Sequence, residues 1–286
     1  MFSGIGMRMQ HIKSYASIFL LLLFFLTPLS GKAVEEKALI LGVVPQFSAR
    51  EIRKIWSPII KRLANEIGTS IIIQGSANIP EFEKQLLNSE FDIVYLNPYQ
   101  ILLANEAHGY DPVVRDVGRS LQGILVTKKQ SGISSVKDLD NQTIAFPSPN
   151  AMGASLLVRA ELHKKHNIKV LPQYVKSHTS VYLNVRLGNV VAGGGVLKTL
   201  NKQDDKIKNN LSILYKTQKV SSHPIAIHPR VSENIKVKLR KALLAMGDVK
   251  ADEVLLSKIP IKRIGEATLA DYLPLKKLGL DKYYTQ

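Results

Sequence analysis

Residues 91–99 read Phe91-Asp92-Ile93-Val94-Tyr95-Leu96-Asn97-Pro98-Tyr99, a short apolar run that leads into a polar turn. A run of this length that is rich in β-branched and aromatic residues predicts a buried strand. Asn97 is a favoured N-cap residue, and Pro98 fits the first turn of a helix, where its missing N–H costs nothing. The stretch therefore predicts a strand that passes directly into a helix.

The same strand-then-helix order occurs on both sides of this stretch. Upstream, residues 38–44 and 70–73 predict strands, and residues 49–67 and 79–87 have the apolar spacing of helices. This order is typical of a parallel sheet covered by helices. It restarts downstream, with strands predicted at residues 142–146, 173–175 and 190–192 and helices at 150–166 and 180–187. The sequence therefore predicts an α/β protein with two lobes.

The N-terminus predicts export. Arg8, His11 and Lys13 precede an apolar run at residues 18–26, and the small residues Gly31 and Ala33 follow. A basic start, a short apolar run and a small-x-small exit are typical of a cleaved secretory signal peptide. The run is too short to cross about 30 Å of hydrocarbon. We therefore expect a signal peptide at residues 1–33 and a periplasmic mature protein.

The expected domains follow from the two α/β series. Lobe 1 is discontinuous, with residues 34–120 and 224–286, and lobe 2 has residues 121–223. Two extended stretches, at residues 120–128 and 223–229, are placed to cross between the lobes.

Composition excludes several function classes. The chain has no cysteine and a formal charge of +16, so disulfide scaffolds, thiolate metal sites and cysteine nucleophiles are excluded. Its lysines are scattered and lack interleaved aromatic residues, which argues against a nucleic-acid interface and favours a basic surface that attracts small anions. A basic protein that binds membrane or nucleic acid remains an alternative, and it predicts binding that collapses with salt.

The sequence contains none of the common catalytic motifs. There is no Gly-x-Ser-x-Gly turn or His-Glu-x-x-His helix, and Asp92 and Asp116 have no assignable partner, so we expect a protein that is not an enzyme. His163 and His166 have a metal-compatible spacing but no third ligand in view. The run Gly193-Gly194-Gly195 is expected to form a tight turn, and it lacks the Lys-Ser/Thr of a phosphate-binding loop. We expect no cofactor and no metal.

Helix N-termini are the candidate binding groups. Parallel sheets bind ligands at the carboxyl ends of their strands, where the helices that follow present free N–H groups that attract anions. Four turns of this kind occur, at residues 45–48, 97–99, 147–153 and 177–180. They predict a small anion held in a cleft between the two lobes.

At these turns the sequence resembles the phosphate/phosphite/phosphonate group of ABC-transporter solute-binding proteins. The resemblance covers residues from about 39 to about 246, and its motifs recur in a fairly specific order. They are Leu41-Gly42-Val43-Val44-Pro45-Gln46, Trp56-Ser57-Pro58, the stretch 91–99, Gly123-Ile124-Leu125-Val126, Ile144-Ala145-Phe146-Pro147, Ser177-His178-Thr179-Ser180-Val181, Gly188 with Ala192-Gly193-Gly194-Gly195, and Ser222-His223-Pro224-Ile225.

The resemblance implies a type II periplasmic binding protein fold, with two Rossmann-like lobes joined by two hinge strands that close over a ligand. It implies a monomer that captures a small phosphorus oxyanion (phosphate, phosphite or phosphonate) and feeds an ABC permease in the inner membrane. The alternative is a ligand-sensing component that reports to a membrane sensor kinase or chemoreceptor.

The resemblance also implies site residues. Tyr95 or Tyr99 fits the family's aromatic contact, although Tyr99 fits equally well as a cover for the sheet edge. His178 fits the family's histidine, although it fits also as a structural residue. The family's hydroxyl-rich turn is replaced here by residues 150–153, and an Asp that binds an amine in some members is replaced by Val191. The ligand-binding candidates are Gln46, Tyr95, Asn97, Tyr99, Ser148, Asn150, Ala151, Met152, Gly153 and His178.

Overall fold

The computed structural model describes Met1, residues 37–259 and residues 261–285. The predicted signal peptide, apart from Met1, lies outside the described residues. No helix within the described ranges combines the length and the apolar character that a membrane crossing requires.

The described chain folds into two sheets with helices packed on them. The strands are β1 (Leu39–Val43), β2 (Ile71–Gln74), β3 (Ile93–Tyr95), β4 (Asp111–Asp116), β5 (Gly123–Lys128), β6 (Thr143–Phe146), β7 (Leu171–Tyr174), β8 (Ala192–Val196), β9 (Leu211–Lys216), β10 (Pro224–Ile227) and β11 (Ile264–Glu266). The α-helices are α1 (Ala49–Ile67), α2 (Ile79–Leu87), α3 (Pro98–His108), α4 (Leu157–His166), α5 (His178–Leu187), α6 (Leu197–Asn201), α7 (Asp205–Lys208), α8 (Glu233–Ala245) and α9 (Lys250–Lys258).

The sheets belong to separate lobes. Lobe 1 has the strand order β11-β4-β10-β3-β1-β2, and lobe 2 has the order β7-β6-β8-β5-β9. The chain crosses between them before β5 and before β10, and Leu121 pairs with Val220 in an antiparallel bridge between the two crossing segments. This bridge therefore joins the two crossing segments to each other.

The parallel arrangement predicted for the strand-then-helix units is confirmed, but each sheet also contains antiparallel strands. Strands β1, β2 and β3 are parallel, as are β6, β7 and β8. In contrast, β10 is antiparallel to β3 and β4, and β5 is antiparallel to β8 and β9. Strands β5 and β10 follow directly on a crossing segment, so each enters its sheet from the other lobe rather than from a helix. Strand β11, which is antiparallel to β4, comes later in the chain.

Local sequence signals account for the helices of lobe 1. The Ser48 hydroxyl accepts a hydrogen bond from the Glu51 N–H at the start of α1, and Gly68 ends the helix with a φ of 77°. Residues spaced at helical intervals, from Ile52 to Ile67, form the buried face of α1. At α3, Asn97 and Gln100 form the reciprocal capping pair that the sequence of this turn favours.

The predicted glycine turn is wrong, because residues 193–195 lie inside β8. A Cβ at Gly193 would overlap with the side chains of Val181 and Val185, and one at Gly195 would overlap with the hydroxyl of Tyr182. At Gly194 it would overlap with the carbonyl oxygen of Ala154. The glycines therefore serve close packing on both faces of the strand rather than a left-handed backbone.

The helix predicted at residues 150–166 is also modified. Residues Met152–Leu156 form a π-helical turn before α4 begins at Leu157. This turn packs against lobe 1, because Ala151, Met152 and Ala154 belong to the same buried apolar cluster as Val43, Tyr95 and Tyr99. The two lobes therefore share one apolar contact at this turn.

Candidate ligand-binding cleft

A cleft of about 1400 Å³ opens between the lobes beside the two crossing segments. Lobe 1 contributes the turn after β1 and the end of β3, and lobe 2 contributes the end of β8 and helix α6. Residues 117–122 and 218–223 of the crossing segments line it as well. The position matches the general rule that ligands of such sheets bind beyond the carboxyl ends of the strands.

The floor of the cleft on the lobe 1 side is formed by Gln46, Tyr95 and His223. Nε2 of the Gln46 amide lies 2.7 Å from Nε2 of His223, and the rings of Tyr95 and His223 stack with centroids 5.4 Å apart. Burial lowers the pKa of His223 to about 3, so the ring is neutral and accepts the amide proton. The Tyr95 hydroxyl has no hydrogen-bond partner among the described residues, and burial holds its pKa well above the usual value. It is therefore a neutral donor.

The cleft lining is strongly basic. Among the described residues, the lining has one acid, Asp271, which is paired with Arg115 at 2.9 Å. Lys202 pairs with Glu51 of α1 at 3.0 Å, and Nζ of Lys198 donates to the carbonyl oxygen of Lys258. The basic residues that line the cleft are Arg115, Arg119, Lys198, Lys202, Lys216, Lys219 and Lys277.

Three of the predicted site residues, Asn97, Tyr99 and Asn150, lie in a buried polar network outside the cleft lining. The Asn97 side chain accepts hydrogen bonds from the N–H groups of Tyr99 and Gln100 and donates to the carbonyl oxygen of Asn150. The Asn150 amide donates to Oε2 of Glu83 at 2.7 Å and exchanges two hydrogen bonds with the backbone of Thr285. Both asparagine side chains are thus engaged in joining the lobes.

The C-terminal segment completes this network. Tyr284 packs its ring on Tyr99, with centroids 5.6 Å apart. Burial raises the pKa of Glu83, although the hydrogen bonds from Asn150 and Gln100 oppose that shift. Arg159 of α4 donates to the carbonyl oxygens of Pro149 and Tyr283. The aromatic ring of Tyr99 therefore holds the C-terminal segment rather than lining the cleft.

The remaining predicted residues follow strands β6 and β7. Ala151, Met152 and Gly153 form the packed turn between the lobes, and Gly153 lies against Gly123 and Leu121. Ser148 and His178 differ from them, because Oγ of Ser148 and Nδ1 of His178 are buried without a hydrogen-bond partner. Burial lowers the pKa of His178 to about 4. Neither residue is part of the cleft lining, but both follow neighbouring parallel strands of lobe 2.

The two carboxylates that the sequence left without a partner have structural contacts. Asp92 accepts a hydrogen bond from the N–H of Ile40 and pairs with Arg230. Asp116 is fully buried and accepts hydrogen bonds from the N–H groups of Gly118, Lys262 and Arg263. Each fixes a turn of the backbone.

A family model described as the periplasmic substrate-binding protein of the phosphonate ABC transporter matches residues 41–272. The chain belongs to this family. Its members are substrate-binding components of a transporter. The matched residues include the cleft floor and both crossing segments.

Individual relatives support the assignment and the fold. The phosphonates-binding periplasmic protein of Escherichia coli (strain K12) is 21% identical over 304 residues, which span 96% of this chain and 86% of the relative. The binding protein component of an ABC phosphonate transporter from Pseudomonas aeruginosa is 18% identical, with a TM-score of 0.76 over 86% of this chain and 87% of that one. PhnD1 of Prochlorococcus marinus (MIT 9301), solved in complex with methylphosphonate, is 17% identical, with a TM-score of 0.77 over 86% of this chain and 98% of that one. The type II periplasmic binding fold predicted from the sequence is confirmed.

Sequence reasoning missed most of the residues that line the cleft of this family member. His223 lies in one of the family-like motifs, at the crossing segment before β10, yet it was not included among the ligand candidates. The cleft cations come from four separate parts of the chain, so no local pattern marks them. The fold brings them together at the cleft.

Proposed function

We propose that this protein captures a small phosphorus oxyanion in the cleft and delivers it to an ABC permease of the inner membrane. The observation that carries the proposal is the match of residues 41–272 to the phosphonate-transporter family. The basic cleft supports it, because a cleft lined by one sign of charge concentrates ligands of the opposite sign. Periplasmic location follows from the family and from the predicted signal peptide.

In this proposal Tyr95 and Gln46 supply the contacts from lobe 1. The free Tyr95 hydroxyl donates to an anion oxygen, and the Gln46 amide is held in place by His223. Ser148 and His178 lie outside the cleft lining of this structure, and we propose that closure brings them to the ligand as the contacts from lobe 2, because each has a buried polar atom without a partner. Such atoms cost about 1–3 kcal/mol each when left unsatisfied, and a ligand oxygen would remove that cost.

The other candidates take supporting roles. Asn97, Asn150 and Tyr99 join the lobes and the C-terminal segment, and the turn of Ala151, Met152 and Gly153 packs between the lobes. We propose that closure is a rotation about the paired crossing segments at Leu121 and Val220. Ligand binding would favour the closed form only to the extent that it contacts both lobes.

Calorimetric titration of the purified protein with methylphosphonate, phosphite, phosphate and sulfate tests the proposal. We expect at least one phosphorus oxyanion to bind and to raise the midpoint of thermal unfolding, since a ligand at 100 times its Kd stabilises by about 2.7 kcal/mol. Sulfate, which cannot carry a proton at neutral pH, is the matched anion control and should bind more weakly. If none of the phosphorus compounds binds, the proposed function is wrong.

A further inference from the structure

The cleft holds more positive charge than one oxyanion requires. Four of its cations, Arg119, Lys216, Lys219 and Lys277, form no ion pair or side-chain hydrogen bond with any residue in the described ranges. All four are exposed to the cleft or its mouth. Lys216 ends β9 of lobe 2 and Lys219 follows that strand, whereas Lys277 lies in the C-terminal segment of lobe 1. The unpaired charge is therefore contributed by both lobes.

The interior of the cleft adds to this field. Burial, with Lys202 and Arg119 close by, lowers the pKa of Lys198 to about 8. Lys198 has a backbone carbonyl as its partner and no carboxylate. Asp271, the one acid that the described part of the chain places in the lining, is already paired with Arg115. A cation that entered the cleft would therefore meet like charges and find no free carboxylate.

The cleft is also larger than a bare oxyanion needs. Pockets of about 300–1,000 Å³ accommodate drug-sized molecules, and this cleft has about 1400 Å³. The volume is present although the lobes already touch, through Lys202 and Glu51 at 3.0 Å on one side and through Asn150 and Glu83 at 2.7 Å elsewhere. There is room for an organic substituent beside the oxyanion.

We propose that the ligand is an organic phosphonate with a second anionic group, and that Arg119, Lys216, Lys219 and Lys277 bind that second group. The inference rests on the proposed function, in which Tyr95 and Gln46 bind the first oxyanion. The second anionic group balances the four positive charges, which no described residue pairs with. The same four cations select against phosphonates that carry an amine.

Three ligands with the same two-carbon linker test the charge preference by calorimetry. They are 3-phosphonopropionate, propylphosphonate and 2-aminoethylphosphonate, whose terminal groups are anionic, neutral and cationic. We expect 3-phosphonopropionate to bind at least about tenfold more tightly than propylphosphonate, a difference of about 1.4 kcal/mol. We expect 2-aminoethylphosphonate to bind more weakly than either.

Paired variants test the residues. Lys216→Gln with Lys219→Gln should lower the affinity for 3-phosphonopropionate to that for propylphosphonate and change the latter by less than about twofold. Arg119→Gln with Lys277→Gln is a second variant with the same expected effect. Lys54→Gln with Lys84→Gln removes the same charge from exposed positions outside the cleft lining and should leave both affinities unchanged.

The outcomes separate the two proposals. Equal binding of 3-phosphonopropionate and propylphosphonate would overturn the second-anion inference and leave the proposed function standing. An equal loss of affinity in the Lys54/Lys84 control would also overturn it, because net charge would then explain the preference. Failure of every phosphonate, with phosphate or phosphite still bound, would also overturn only the second-anion inference. Failure of phosphate and phosphite as well would overturn the proposed function itself.

Discussion

Burial keeps His223 neutral, and this makes the stability of the folded protein depend on pH. The folded pKa of about 3 lies below the value of about 6.5 for an unfolded histidine. Between these two pH values the folded state binds fewer protons than the unfolded state. The contribution of His223 to the free energy of unfolding is therefore fully present above pH 6.5 and is lost as the pH falls towards 3. At pH 5 the loss from this residue is about 2 kcal/mol relative to pH 7.

We expect His223→Gln to remove most of the loss of stability that His223 causes between pH 7 and pH 5. Urea unfolding at these two pH values measures the loss, since both lie above the pH range in which most carboxylates titrate. His166→Gln, at an exposed position, is the control and should keep the wild-type dependence. An unchanged pH dependence in His223→Gln would show that His223 is not a buried neutral group.

The choice between Tyr95 and Tyr99 is a second prediction at the residue scale. Tyr95 lines the cleft with a free hydroxyl, whereas Tyr99 packs against Tyr284. A hydrogen bond to a charged ligand contributes about 1.5–3 kcal/mol, so Tyr95→Phe should weaken methylphosphonate binding by about tenfold or more. Tyr99→Phe should bind as the wild type does. Calorimetry decides, and the reverse result would move the site to the turn before α3.

At the scale of elements, β8 shows how closely the lobe 2 helices approach their sheet. Gly194 faces the carbonyl oxygen of Ala154 in the π-helical turn, and added atoms in such a packed contact cost about 1–3 kcal/mol. We expect Gly194→Ala to lower the free energy of unfolding by this amount, as measured in urea. Gly75→Ala, where a Cβ meets nothing within 4 Å, is the control. A Gly194→Ala protein as stable as the wild type would contradict the packing account.

The same elements show what the sequence predicts well. Strand-to-helix units such as residues 91–108 depend on local signals, namely an apolar run, an asparagine cap and a proline in the first turn. These signals are present in the sequence, so the order of elements was predictable. The direction of β5 and β10 was not, because it depends on where the chain returns after crossing between the lobes.

The candidate site was predicted only in part for a related reason. Gln46 lies in the predicted turn after β1, and Tyr95, which the family resemblance implies, ends β3, so both line the cleft. Asn97 and Asn150 looked equally suitable, but their amides are used by Glu83, Thr285 and the backbone of α3. Thr285 is distant in sequence from these turns, and no local pattern indicates that the C-terminal segment returns to them.

At the scale of the whole molecule, the lobes are organised around one basic cleft. The formal charge of the chain is +16, and cations from both lobes and from the crossing segments line the cleft. A bound anion placed between them would contact both lobes at once, which is the condition for a ligand to favour closure. The fold, the charge and the family membership therefore support the same account.

A crystal structure of the protein with methylphosphonate tests this account most directly. We expect the phosphorus to lie in the cleft, with one phosphonate oxygen at about 2.5–3.0 Å from the Tyr95 hydroxyl, as expected for an O–H···O hydrogen bond. Phosphorus density outside the cleft, in a crystal of protein shown by calorimetry to bind the ligand, would contradict the account.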